Sequence, residues 1–333
     1  MTRSLIEQIA ALPKGELHVH LNGLVETTVL ANLLRTEAGA EVHGVDLLKA
    51  LTRNSACSCL AEYLAGWDYL RLVPKSRESL RLLVQSAFVQ LKRQNTSFAE
   101  IRSSVIYISL LNDIPVSESL RWLIEEIELA SIAYQIDAGL IMTIPRGDYA
   151  TESMRALLSG FSQLGKPTTV VGVDLAGNES TQVSPDLKTL FQKAKYELGL
   201  GVTIHAGETG VLENIREAVL DFGADRIGHG TAAGKCERTM ALLTERDICV
   251  EVCPISNRLT GAAPVGEAHP LVHFIKNNVP FVICSDNPGL HQANLNADYY
   301  EFARESGRAD LLEEMLMRQR KFSFLKLRAA SPE

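Results

Sequence analysis

The sequence predicts a (β/α)8 TIM barrel, with a helical insertion after the first strand and C-terminal helices. Three observations predict it. Eight short β-branched runs alternate with longer amphipathic stretches along the chain, the pattern of βα units around a parallel sheet. Many of these runs are apolar nearly throughout, as strands covered on both faces must be. Side chains able to do chemistry cluster at the C-terminal ends of the runs, where barrels of this kind carry their active sites. An open doubly wound sheet is the alternative, but no G-x-G-x-x-G follows the first run.

The expected strands are 16–21, 96–103, 137–144, 169–175, 201–206, 226–230, 248–253 and 281–286. The first contains His18 and His20, two residues apart, so both imidazoles share one face of an extended strand. Asn22 and Gly23 follow where a loop should begin. The segment 22–95 is long for one crossover, since a whole βαβ unit takes roughly 30 residues. Helical patches at 27–35, 45–51 and 60–72 mark it as an insertion able to act as a lid. Further helices are expected at 79–94, 116–134, 151–164, 186–198, 214–222, 237–246 and 269–277. Ser184-Pro185-Asp186 is a helix start, with Pro and an acid in the first turn, and Gly199 is a C-cap candidate. The stretch 297–327 reads as two closing helices, and 1–333 as a single domain.

Composition excludes several classes. The 333 residues are 46% hydrophobic, enough for one large core, and the net charge is −7. A mildly acidic chain without a Lys/Arg run is not built for nucleic acid or an anionic membrane surface. No apolar run approaches the ~20 residues of a membrane helix. The first residues carry no signal-peptide core, so a cytoplasmic location is expected. Of the six cysteines, Cys249, Cys253 and Cys284 sit in apolar runs, and no pair has C-x-x-C spacing. A reduced set is expected, with Cys57 and Cys59 in a polar loop or helix start rather than a metal clip.

The strand ends carry the chemistry. The first ends in His18-Val-His20, the fifth in His205-Ala-Gly-Glu208, the sixth in His229, the eighth in Asp286-Asn-Pro288, and the fourth runs through Asp174 to Glu179. Four of the eight histidines are so placed. His43, His269, His273 and His291 lie in loops or helical patterns. His18, His20, His205 and Asp286 offer three nitrogens and one carboxylate oxygen, a set that suits Zn²⁺ and would accept Fe²⁺ or Co²⁺. A divalent ion there would lower the pKa of a bound water to about 7. His229 is then a base or an electrostatic partner, and Glu208 a general acid if its surroundings raise its pKa.

In order, the sequence contains His-x-His-Leu-x-Gly (18–23), Val-x-Gly-x-Asp-Leu-Ala-Gly (170–177), His-Ala-Gly-Glu (205–208), Arg-Ile-Gly-His-Gly (226–230), Glu-Val-Cys-Pro-x-Ser-Asn (251–257) and Ser-Asp-x-Pro (285–288). Together these resemble the adenosine deaminase family of the amidohydrolase superfamily, over about residues 12–288. The resemblance implies zinc-dependent hydrolytic deamination of an adenosine-like aminopurine nucleoside, with one zinc per chain held by His18, His20, His205 and Asp286. Glu208 would protonate the ring nitrogen beside the reacting carbon. His229 and Asp286 would hold the attacking hydroxide. His20, Asn22, Gly177 and Asn287 would face the substrate, the Gly177 N–H on a ring nitrogen. The H-x-E…P-C-x-x-C deaminase pattern is absent.

Two positions depart from the family pattern, which has Asp where Asn22 and Asn287 stand. An amide donates without needing a proton from solvent, whereas a carboxylate only accepts. Asn287 could therefore hold purine N7 with less dependence on pH, and Asn22 removes a negative charge near the sugar end. The alternative substrates are adenine, an N6-substituted AMP or aminodeoxyfutalosine. Basic residues available to an anionic substrate are Arg53, Arg71, Lys75 and Arg77 in the insertion. Glu100 and Arg102 are expected as a buried barrel ion pair. A non-catalytic purine-binding relative would have lost a metal ligand or the acid, and all are present. A two-metal hydrolase would need a Lys ending the fourth strand, and there is none. Oligomeric state is open at this level.

Overall fold

The computed structural model describes residues 4–327; the expected domain bounds of 1–333 extend past these at both ends. The strands are β1 (Lys14–His20), β2 (Thr96–Ser103), β3 (Asp137–Pro145), β4 (Val170–Ala176), β5 (Gly201–Ala206), β6 (Arg226–His229), β7 (Cys249–Val252) and β8 (Phe281–Ile283). They form one sheet in sequence order, each neighbour parallel. A bridge between Val19 and Asp286 closes it: His20 donates its N–H to the Asp286 carbonyl at 3.0 Å, and Asp286 to that of His18 at 2.8 Å. The architecture is the (β/α)8 barrel that the alternating pattern predicts.

Several boundaries differ for backbone reasons. β6 ends at His229 and β8 at Ile283; His229 has φ +64° and Asp286 φ +61°, a left-handed backbone that turns the chain out of the strand direction at each rim position. Asn22 lies on a short helical turn, Leu21–Leu24, rather than in a loop. The helix Val105–Asn112 escapes the sequence reading because VIYISLLN is apolar on nearly every side and shows no 3.6-residue period. Leu5–Ala11 and Pro254–Leu259 are also additional. Pro185–Tyr196 begins as expected, with the Ser184 hydroxyl accepting from the Asp186 N–H. Among the described residues, no helix is long and apolar enough to cross a membrane.

Between β1 and β2 lie the short helices Thr27–Glu37, Leu47–Leu51, Leu60–Leu64 and Trp67–Leu70. Arg77–Arg93 then returns the chain to β2, burying Leu80, Leu83, Val84, Ala87, Phe88 and Leu91. Of the C-terminal helices Leu295–Ser306 and Leu312–Phe322, the second closes the N-terminal end of the barrel, its Phe322 carbonyl accepting from Arg226 at 2.7 Å. Gln319 seals it, its amide donating to the carbonyls of Gly15 (2.6 Å) and Ile283 (3.0 Å).

The barrel interior holds a charged ladder. Glu100 and Arg102 are buried as expected but do not pair with each other. Arg226 bridges Glu100 (2.6 Å) and Glu251 (2.7 Å), while Arg102 bonds Glu251 (2.5 Å) and lies 3.4 Å from Asp174. Residues i and i+2 share a face but sit two rises, about 6.6 Å, apart, so cross-barrel partners win. Arg102 and Arg226 hold the Glu251 carboxyl well below the usual carboxylate range against the opposing effect of burial.

Candidate active site

The four residues with ligand chemistry converge at the C-terminal end of the barrel. One donor atom each from His18, His20, His205 and Asp286 lies within 4.8 Å of the others. His20 Nε2 is 3.3 Å from His205 Nε2 and 3.5 Å from Asp286 Oδ1, and His18 Nε2 is 3.6 Å from that oxygen. The far sides of three of the four are already engaged. His18 Nδ1 bonds Glu251 at 2.7 Å, and His205 Nδ1 bonds Asp174 at 2.9 Å. Since carboxylates accept, both rings keep their proton on Nδ1 and turn a lone pair on Nε2 inward. Ser256 Oγ donates to Asp286 Oδ2 at 2.6 Å, leaving Oδ1 for the cluster. His18 Nε2 is buried without a hydrogen-bond partner, which a metal ion would satisfy. The donor set fits a four-ligand divalent ion. Gly228 makes room for the His18 ring: a Cβ there would lie 2.9 Å from His18 Cε1.

Glu208 follows β5 on a turn opened by Gly207, which has φ +82°. Glu179 clamps this turn by accepting the N–H groups of Gly207 and Glu208, each at 2.7 Å. Burial pushes the Glu208 carboxyl well above its ordinary range, and the negative charges of Glu179 and Asp286 push it further. Its Oε2 lies 3.9 Å from His229 Nε2. Asn257 Nδ2 sits 3.0 Å from His229 Nδ1; with the amide donating, Nε2 carries the ring proton towards Glu208. Burial holds His229 well below its ordinary pKa, and nearby His18 adds to this. Burial likewise pulls His20 down to about 3. The left-handed backbone at His229 and Asp286 costs about 1–3 kcal/mol each, and such strain collects at working sites.

These groups face a cavity of about 390 Å³. Its floor includes His20, Gly177, His205, Glu208, His229 and Asp286, and one wall is the insertion, through Leu60, Tyr63, Leu64, Trp67 and Leu70. Asn22 and Asn287 also line it, but their amides are directed at that wall. Asn22 Nδ2 donates to the Leu70 carbonyl at 3.0 Å, and Asn287 Nδ2 to Tyr63 Oη at 3.0 Å. The metal-ligand candidates His18, His20, His205 and Asp286, and the candidates Asn22, Gly177, Glu208, His229 and Asn287, therefore all border this one cavity or belong to its metal cluster.

The basic residues divide differently. Only Arg71 of the four in the insertion lines the cavity. Arg53 donates to insertion carbonyls, Lys75 pairs with Glu41, and Arg77 with Glu125 and Glu126. Arg146, just past β3, lines it instead, donating from Nη2 to the His205 carbonyl at 3.0 Å while Nε is buried without a partner. Its placement at a strand end was the available signal. Asp174, Glu179, Glu251, Ser256 and Asn257 stand inside or beside the sequence motifs without an assigned role. Tyr63 and Trp67 carry no sequence signal. His291, four residues past Asn287, belongs beside the site after all, its Nε2 lying 2.7 Å from Tyr63 Oη.

The adenosine deaminase family model matches residues 13–326. An adenosine deaminase of Clostridium perfringens (strain SM101) is 30% identical over 291 residues, 86% of this chain and 86% of that protein. An aminodeoxyfutalosine deaminase of Streptomyces coelicolor is 32% identical over 327 residues, 93% of this chain and 80% of that protein. The structure of an amidohydrolase from Burkholderia ambifaria, with bound zinc, has the same fold: TM-score 0.85 at 20% identity, covering 98% of this chain and 90% of that one. With the family match spanning nearly the whole barrel, the chain belongs to the adenosine deaminase family, hydrolases acting on C–N bonds of cyclic amidines.

Proposed function

We propose that this protein is a zinc-dependent hydrolytic deaminase of an aminopurine nucleoside or a close derivative, exchanging the exocyclic amine for oxygen and releasing ammonia. The observation that carries the reading is Glu208: a buried carboxyl whose surroundings favour its protonated form, at the same site as three inward-turned imidazoles and a carboxylate. Three nitrogens and one oxygen suit zinc. When bound there, the ion supplies hydroxide near neutral pH. Glu208 gives its proton to the ring nitrogen beside the amine-bearing carbon, which makes that carbon electrophilic. His229, neutral and donating from Nε2, orients the attacking oxygen. The Gly177 N–H and the wall of Leu64 and Trp67 position the purine and keep bulk water out.

The test is hydrolysis by the zinc-loaded protein, read as ammonia from adenosine, adenine and aminodeoxyfutalosine and as methylamine from N6-methyl-AMP. Glu208→Gln should retain the metal and lose turnover by about 10²–10⁴-fold. Turnover near the wild-type rate in that variant overturns the assignment.

A specific observation favours the anionic members of that panel. Arg146 Nε and the hydroxyls of Thr143 and Ser104 are buried without partners, and all three residues line the cavity. Buried donors without acceptors are costly, and a phosphate or carboxylate on the substrate would satisfy them. Arg146→Met should raise KM for the anionic substrates far more than for adenosine. An equal effect on both classes counts against this reading.

A further inference from the structure

Two barrel side chains reach across the mouth of the cavity to one short stretch of the insertion. Asn22, on the turn after β1, donates to the Leu70 carbonyl, and Asn287, after β8, donates to Tyr63 Oη, each at 3.0 Å. Tyr63 lies in the helix Leu60–Leu64, and Leu70 is the last residue of the helix Trp67–Leu70. Helices of five and four residues do not hold themselves together in water, so tertiary ties must set their position. Between the two anchor points sits Trp67, its ring centroid 5.7 Å from that of His20.

We propose that Asn22 and Asn287 are positioning residues that latch the segment 60–70 over the site in the substrate-free protein. The inference rests on the proposed function only in taking this cavity as the active site. The chemistry of the two bonds says why amides stand there. A backbone carbonyl only accepts, so position 22 must donate; a carboxylate would set two acceptors against each other. Position 287 is more forgiving. Tyr63 Oη has one proton and a second neighbour, His291 Nε2 at 2.7 Å. The phenol donates to the imidazole and accepts from the amide, and a carboxylate at 287 could be met by turning the phenol proton and changing the imidazole tautomer.

The two latches are also mechanically joined. Gly23 lets the Asn287 amide lie against the Asn22 turn, since a Cβ there would come within 1.9 Å of Asn287 Oδ1. Gly289 N–H donates to the Gly23 carbonyl at 2.8 Å. Asn22 stands two residues past the His20 ligand and Asn287 directly after Asp286. The position of the lid is therefore tied to the two strand ends that carry three of the four ligands.

Trp67 reports on the latch directly. The chain has two tryptophans, so a Trp122→Phe background isolates it. In the metal-loaded, substrate-free protein, Asn22→Asp should red-shift Trp67 emission and increase acrylamide quenching. It should also speed amide exchange across 60–72 by about three- to tenfold, the change that one lost hydrogen bond gives. Melting temperature and metal content should hold. Asn287→Asp should do the same to a smaller degree. Asn22→Ala, which removes the donor without adding charge, decides the matter if Asn22→Asp does not fold. Unchanged Trp67 emission and exchange in Asn22→Ala overturn the proposal, whatever happens to KM. These readouts need no turnover, so a failure of the proposed activity leaves the lid test intact.

Discussion

His18 donates through Nδ1 to Glu251 Oε2 at 2.7 Å, joining the first metal-cluster residue to the charged ladder inside the barrel. The same carboxylate accepts from Arg102 at 2.5 Å, from Arg226 at 2.7 Å and from Thr203 Oγ1 at 3.0 Å. One buried group thus sets the tautomer of a candidate ligand and shares its charge between two guanidinium ions, whose other carboxylate partners are Asp174 and Glu100.

Glu251→Gln removes the charge while keeping the shape. Two buried arginines lose a partner, a loss that costs about 3–5 kcal/mol when a buried pair is broken. The expected result is a lower urea midpoint together with weaker metal retention. An unchanged midpoint would mean that the ladder is solvated in solution.

Asp174→Asn should separate these effects. Asp174 Oδ1 orients His205 at 2.9 Å, and its other oxygen lies 3.4 Å from Arg102. Loss of such an orienting carboxylate weakens metal binding about 10–100-fold, measurable by competition with a chelator. The fold should lose less than in Glu251→Gln, because Arg102 keeps its shorter bond to Glu251.

Gly228→Ala tests the space reserved for the His18 ring. The new Cβ would sit 2.9 Å from Cε1 and 3.3 Å from Nδ1, with the His205 Cα at 3.3 Å behind it. The ring must move, since the backbone cannot. Overpacking of this kind costs about 1–3 kcal/mol, and metal affinity should fall with it. Wild-type affinity in a stably folded variant would show that the ring has another place to go.

The pH dependence follows from Glu208. An acid works while protonated, so turnover should hold below its raised pKa and fall as pH rises through it. At the ordinary value of 4.5 the loss would already be complete at neutrality. His20, held at about 3, and His229, held well below its ordinary value, stay neutral through the same range and add no loss of activity near neutral pH. The profile of kcat/KM against pH should therefore show an alkaline limb that Glu208 controls. An alkaline limb already complete near the ordinary value of 4.5 would be incompatible with a raised Glu208 pKa.

Much of this architecture is written in local pattern. A two-residue alternation puts His18 and His20 on one face whatever surrounds them, and β-branched runs between amphipathic stretches specify buried parallel strands. The strand ends carrying His205, Glu208, His229 and Asp286 could be read in the same way, because a barrel puts every such end on one rim. Val105–Asn112 was not legible, because a helix apolar all round has no period to detect.

The sequence by itself determined the barrel, the groups on its rim and the chemistry those groups can do. Only the tertiary structure decided which partner each side chain takes. Glu100 and Arg102 are close in sequence yet bond across the barrel. Asn22 and Asn287 donate to Leu70 and Tyr63, and the buried guanidinium nitrogen without a partner that borders the cavity belongs to Arg146 rather than to a residue of the insertion. The physical reason is range. Secondary structure follows from spacing along the chain, whereas a hydrogen bond between residues tens or hundreds of positions apart depends on barrel register, strand-end curvature and rotamer, which no local period encodes.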